Sequence, residues 1–155
     1  MATLSMDELV GSAGTDLGSA SWIEITQDRI DAFGRATNDW QWLHVDPERA
    51  RTGPFGTTIA HGYLTLSLVS AWLFELLEVD GAASTINYGV NRARFPAPVP
   101  VGSRLRARGE IVEASGERDW VQLVVRVTVD IEGGIRPVCV ADIVIRYLSS
   151  EETIA

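Results

Sequence analysis

The chain has 155 residues, 46% of them hydrophobic, enough for one domain to bury a core without disulfides or a structural metal. Its net charge of −8 argues against wrapping a nucleic-acid backbone, and its single cysteine, Cys139, excludes an intrachain disulfide framework. All 13 basic residues are arginine, which removes lysine Schiff-base and P-loop chemistry together.

Residues 1–18 hold Gly11, Gly14 and Gly18 among small and polar neighbours and read, apart from a short turn around Asp7 to Val10, as a loose lead-in to a single domain over 19–155. The N-terminus lacks the basic and apolar blocks of a secretory signal. The one long apolar stretch, Tyr63 to Leu77, is too short to cross a bilayer, so a cytoplasmic protein without a membrane partner is expected. Order should begin near Trp22, with a strand over 21–25. Thr26 then caps a helix that carries Asp28 in its first turn, has Ile30, Phe33 and Thr37 at helical spacing, and ends by Asn38. A second small helix starts at Asp46-Pro47 and fades at Gly53-Pro54, which places His44 in the connection between two helices.

From Leu64 to Leu77 the residues are apolar on nearly every face, predicting a helix buried nearly all round. After Asp80-Gly81 the period changes to alternation, with strands over 85–95, 103–113, 120–131 and 137–148. The third is the cleanest: Val121, Leu123, Val125, Val127, Val129 and Ile131 share one face. Cys139 falls in the last run and reads as a small core residue. Turns at Ser115-Gly116 and Gly133-Gly134 make antiparallel neighbours. Strands about twice the usual length, apolar on one side, curl around whatever fills them. The expected fold class is therefore α+β, a long curved antiparallel sheet wrapped around a central buried helix, which is the hotdog architecture. Edge strands of that length would lie bare in one copy, so a homodimer is the simplest protection.

Chemistry concentrates in Asp39-Trp40-Gln41-Trp42-Leu43-His44 and in Ala60-His61-Gly62 at the mouth of the apolar helix, which together hold both histidines of the chain. A carboxylate and an imidazole close together can move a proton, and a glycine opening a helix offers a bare N–H to developing negative charge. Each also has a plainer explanation: a turn aspartate, a core histidine, a helix-start glycine. His61 invites a metal reading with His44, Asp39 and Asp46, but no zinc-ligand spacing is visible; a hydrogen bond holding the loop before the helix suits it better. Trp40, Trp42 and Trp72 are expected in the core or a pocket wall. Arg92, Arg94, Arg104, Arg106 and Arg108 form a local positive density that could meet a nucleotide phosphate, or simply line the solvent face of a strand pair.

Three segments carry a resemblance: Asp39 to Pro47; Pro54-Phe55-Gly56 with Ala60-His61-Gly62-Tyr63-Leu64-Thr65-Leu66-Ser67; and Asn87-Tyr88-Gly89 with Arg94-Phe95-Pro96-Ala97-Pro98-Val99. Through them the chain resembles, from about Trp22 to Tyr147, the MaoC-like, (R)-specific enoyl-CoA hydratase family of hotdog proteins, and most closely its NodN-like single-domain branch. Where the broader family has asparagine and proline after the motif aspartate, this chain has Gln41 and Trp42, a difference that bears on the pocket wall and acyl preference. The resemblance implies that Asp39 and His44 hold a water between them and manage both proton movements of trans-2-enoyl-CoA hydration. It implies further that Ser67 orients the pair. Gly62, with no side chain and at the start of a helix, is the candidate donor to the thioester oxygen, and Gln41 could fix the aspartate or water or simply face solvent. Ser67 equally reads as back-bonding to the carbonyl four residues earlier. No metal or redox cofactor is expected, the CoA thioester being the substrate. The alternatives are a non-catalytic acyl-CoA-binding or partner subunit of the same fold, and a hotdog thioesterase.

Overall fold

The computed structural model describes residues 1–117 and 119–149. In chain order it contains β1 (Ala2–Ser5), α1 (Met6–Leu9), β2 (Asp16–Ser19), β3 (Ile23–Glu24), α2 (Gln27–Thr37), α3 (Trp42–Val45), α4 (Pro47–Ala50), α5 (Gly62–Ser67), α6 (Val69–Leu76), β4 (Leu77–Asp80), β5 (Ser84–Arg94), β6 (Arg104–Glu117), β7 (Trp120–Ile131) and β8 (Cys139–Leu148). The main sheet is antiparallel in the order β2-β6-β7-β8-β5, with β3 also pairing β6. Register shifts at Ile111/Glu113 in β6, and at Asn87/Gly89 and Val90/Arg92 in β5, are bulges, and each adds local bend and twist. The sheet thereby curls over α5 and α6, as a hotdog requires.

The core lies between that concave face and the helix. Val121, Leu123, Val125, Val127 and Val129 of β7 are buried, as are Ile143 and Ile145 of β8. Against them sits Trp72, wholly buried, whose indole N–H donates to the Ser21 carbonyl at 3.0 Å, so the largest side chain of the core leaves no polar atom unpaired. On the convex face, alternate residues pair across strands: Arg104 with Glu132, Arg108 with Asp130 and Arg126 with Asp142. Three of the clustered arginines are thus explained without a ligand, since Arg106 lies over the Trp22 ring at 4.5 Å.

Four expectations are corrected. The first eighteen residues are not a loose lead-in: β1 runs parallel to β4, β2 pairs β6, and Leu9 and Leu17 are buried. These segments are too short for periodicity to show through the glycines between them. Secondly, the apolar helix is not buried all round. Leu64, Thr65, Val69, Trp72, Leu73 and Leu76 face inward, while Tyr63, Ser67, Ala71 and Phe74 form an exposed stripe at helical spacing. It is also divided at Leu68, where the backbone stays right-handed (φ −69°, ψ −18°) but Ala71 N–H bonds three residues back, to Leu68. Thirdly, Ser115 and Gly116 belong to the β6–β7 ladder rather than to a turn, opposite Gln122 and Val121. Lastly, Trp40 is 54% exposed, not a core residue.

Candidate active site

Local sequence builds the supports. Thr26 Oγ1 accepts from Arg29 N–H and starts α2; Asn38, in the left-handed region at φ 57°, ends it and turns the chain back. Residues 39–41 then lie across the helix at Gly34, where an added Cβ would stand 3.1 Å from the Asp39 carbonyl oxygen. His44 is carried by the one-turn α3, and Asp46 caps α4 by accepting from Arg49 N–H at 3.0 Å, with Pro47 at the first helical position. The segment before α5 is tied to the region after β5: Ala60 N–H donates to Val99 O and Val101 N–H to Thr58 O, with a bridge between Ile59 and Pro100.

Asp39, His44 and His61 converge, with one ligand atom from each lying within 4.8 Å of the others. His44 Nδ1 donates to the Ile59 carbonyl at 2.7 Å, so the neutral ring presents its lone pair at Nε2. The ring stacks on His61, centroids 3.9 Å apart and planes 27° apart. His61 Nε2 donates to the Asp39 carbonyl at 3.2 Å and stands 4.0 Å from Asp39 Oδ2, while its Nδ1 is buried without a partner among the described residues. Burial pushes the His61 pKa down and the neighbouring His44 adds to that, opposed by the bond to the Asp39 carbonyl and by the Asp39 charge. The balance of these effects favours the neutral form of His61. The Asp39 carboxylate is about half exposed, at 48%, and its Oδ1 accepts from Gln41 N–H at 3.3 Å.

Beside this cluster is a cleft of about 330 Å³ lined by His44, Ile59, Gly62, Thr65, Phe95 and Val99, among others. At Gly62 an added Cβ would stand 3.1 Å from the Phe95 ring and displace it by a few tenths of an ångström; the Gly62 N–H has no acceptor among the described residues. Asp39 stands at the solvent edge of this cluster, not in the cleft wall. Two expected residues are not brought in. Ser67 is exposed and its hydroxyl donates to Tyr63 O at 2.7 Å, and Gln41 is exposed with its side chain outside the cleft lining. As metal ligands the three clustered residues fit poorly: imidazole lone pairs lie in the ring plane, and stacked planes 27° apart cannot aim them at one ion at bonding distance. Gln27 and Thr58, which brace His44, carry no local pattern that sequence could have flagged; only the folded chain brings them there.

The family description of the MaoC-like domain matches residues 9–133 of this chain. The chain belongs to the MaoC-like dehydratase family. It is 47% identical over 146 residues to the 3-hydroxyacyl-thioester dehydratase Z of Mycobacterium tuberculosis, covering 94% of this chain and 97% of that one. Nodulation protein N of Rhizobium leguminosarum is 41% identical over 145 residues, 92% of this chain and 90% of its own. Among solved structures, the (R)-hydratase of Aeromonas caviae involved in PHA biosynthesis superposes with a TM-score of 0.68 at 25% identity, over 86% of this chain and 94% of that one. This MaoC-like chain is accordingly a lyase of the hydratase/dehydratase type.

Proposed function

We propose that the chain adds water to trans-2-enoyl-CoA to give (R)-3-hydroxyacyl-CoA, or runs the reverse dehydration, as a cytoplasmic homodimer needing no metal or redox cofactor. The observation that carries this reading is the tautomer forced on His44. With Nδ1–H held by Ile59 O, the Nε2 lone pair of a neutral His44 is left free; His44 and Gly62 both line the same cleft, and one ring nitrogen of His44 lies within 4.8 Å of an Asp39 carboxylate oxygen. A water between the two groups gives its oxygen to C3 while one of its protons passes to the Asp39–His44 pair. As the C2=C3 electrons move toward the thioester, its oxygen gains negative charge and accepts a hydrogen bond that the Gly62 N–H donates. The pair then returns the proton to C2, so that one water is added and both side chains end as they began. Delivery from one side of the cleft gives one stereoisomer.

Arg92 and Arg94 suit the CoA phosphates better than the other clustered arginines. They lie on β5 just before the cleft residue Phe95 and have no carboxylate partner among the described residues. The second copy is supported by β5 as well: it is an edge strand, the longer of the two that end the sheet order, and Tyr63, Phe74, Tyr88, Val90 and Phe95 are all exposed on or near it. No helix of the described residues is long and apolar enough to cross a membrane.

The test is incubation of purified protein with a short trans-2-enoyl-CoA, followed by chiral analysis of the product and sizing of the protein in solution. Loss of enoyl absorbance with (R)-product supports the proposal. Free thiol would mean a thioesterase, and neither change, across acyl lengths, a binding subunit. Asp39→Asn and His44→Gln should each lower kcat by about 10²-fold or more with the fold retained.

A further inference from the structure

The first side chain of α2, Gln27, meets three groups around His44. Its Nε2 donates to the His44 carbonyl at 2.8 Å and to Asp31 Oδ1 at 2.8 Å, while its Oε1 accepts from the Thr58 hydroxyl at 2.6 Å. The amide orientation follows from the partners. Reversed, its oxygen would face a carbonyl and a carboxylate, neither of which can donate. Thr58 is itself buried, at 1% exposed, so its hydroxyl has little solvent to turn to.

The geometry explains why such a brace is needed at this point. A helix leaves its last carbonyls unpaired, and α3, only one turn long, has almost no internal bonding to hold its shape. The His44 carbonyl would be one of those orphans. Gln27 satisfies it, and through Thr58 it also holds the residue next to Ile59, whose carbonyl fixes the His44 ring. Ile59 N–H closes the circuit on Leu43 O at 3.0 Å. One side chain from α2 thus fixes both the backbone that carries the imidazole and the acceptor that sets its tautomer.

We infer that Gln27 is the positioning residue of the site, holding His44 as the Nδ1–H tautomer with Nε2 free for the reaction. It does not touch the cleft and acts only through His44 and Ile59. Its relevance to turnover rests on the hydratase reading above, whereas its effect on the tautomer does not. A merely structural glutamine would stabilise the fold and leave the ring alone.

The experiment compares wild type with Gln27→Met, which keeps length but removes every hydrogen bond of the amide, and with Thr58→Val, which cuts only the Ile59 side. Because the chain has only 2 histidines, their ring ¹⁵N–¹H correlations can be assigned, and wild type should show His44 protonated at Nδ1 and His61 at Nε2. In Gln27→Met, His44 should shift toward the Nε2–H form that an unconstrained side chain favours. Its kcat on trans-2-enoyl-CoA should fall roughly 10- to 100-fold with KM within about twofold, as expected when a reacting group is misplaced but substrate contacts stay. Thr58→Val should move both readouts in the same direction by less, and it decides the matter should Gln27→Met not fold. An unchanged tautomer in the folded variants overturns the inference, whatever the activity. A wild type with the stated tautomer but no hydration of any enoyl-CoA would instead overturn the hydratase reading and leave the brace standing.

Discussion

Gly34→Ala separates the stability of this fold from the alignment of its site. In an ordinary helix interior the change gains about 1 kcal/mol, because alanine gives up less backbone freedom than glycine on folding. At residue 34 the new methyl would sit 3.1 Å from the Asp39 carbonyl oxygen, 3.4 Å from Val45 Cγ1 and 3.7 Å from His61 Cε1. The carbonyl must therefore withdraw by a few tenths of an ångström. That carbonyl is the acceptor for His61 Nε2 at 3.2 Å, and His61 Nδ1 is already unpaired, so weakening the bond costs about 1–3 kcal/mol of the kind charged to a buried polar group without a partner. The balance runs from about zero to a net loss of about 2 kcal/mol, so the midpoint of thermal unfolding should fall by no more than about 8 °C, at about 2–4 °C per kcal/mol for a chain of this size. Turnover should not be spared. A misplacement of about 1 Å costs on the order of 10²-fold, so a shift of a few tenths at Asp39 should lower kcat by roughly 3- to 10-fold. The assay is enoyl-CoA hydration alongside thermal melting of the same preparation. Full activity at unchanged stability would refute the close packing of Asp39 on α2, and a collapse of the melting temperature would refute the balance.

The depressed pKa of His61 predicts an acid-labile fold: above about pH 6.5, the unperturbed value, neither state holds the proton and the full stability is present. As pH falls through that value the unfolded chain takes up a proton that the folded one refuses, so the urea midpoint should drop, and His61→Gln should flatten that part of the profile. Cys139, buried and with its thiol pushed up to about 11, should resist a disulfide reagent at pH 8 in native protein and react at once in urea; fast native reaction would contradict its place under the sheet. Trp72→Ala should cost about 3–5 kcal/mol in urea unfolding, because it empties the centre of the core and strips the Ser21 carbonyl of its donor, whereas Phe74→Ala on the exposed stripe should cost far less in a single copy.

Much of this protein was decided by local chemistry. Thr26, Asn38 and Asp46-Pro47 set helix ends because capping and left-handed turns depend on a few adjacent residues. Alternation from Trp120 to Ile131, interrupted at Val124, defined the central strand to the residue, since a side-chain period of two leaves no other way to bury the face of Val121, Leu123, Val125, Val127 and Val129. The motif around Asp39 and His44 was legible for the same reason: the two lie close in the chain and their chemistry is unusual together. What remained for tertiary structure was whatever depends on residues far apart. Leu17 becomes core only because β6 offers a partner to β2, and Leu9 because the one-turn α1 follows β1, which β4 pairs; all are segments too short to announce themselves. Tyr63 and Phe74 stay exposed because an apolar stripe does not say which surface covers it. The stacking of His61 on His44, and the bracing of His44 by Gln27, Thr58 and Ile59, arise where α2, α3 and the segment before α5 meet. Hydrogen-bond geometry of that kind is fixed by three-dimensional packing, so the sequence by itself determined which groups could do acid–base chemistry and only the fold decided which nitrogen carries the proton.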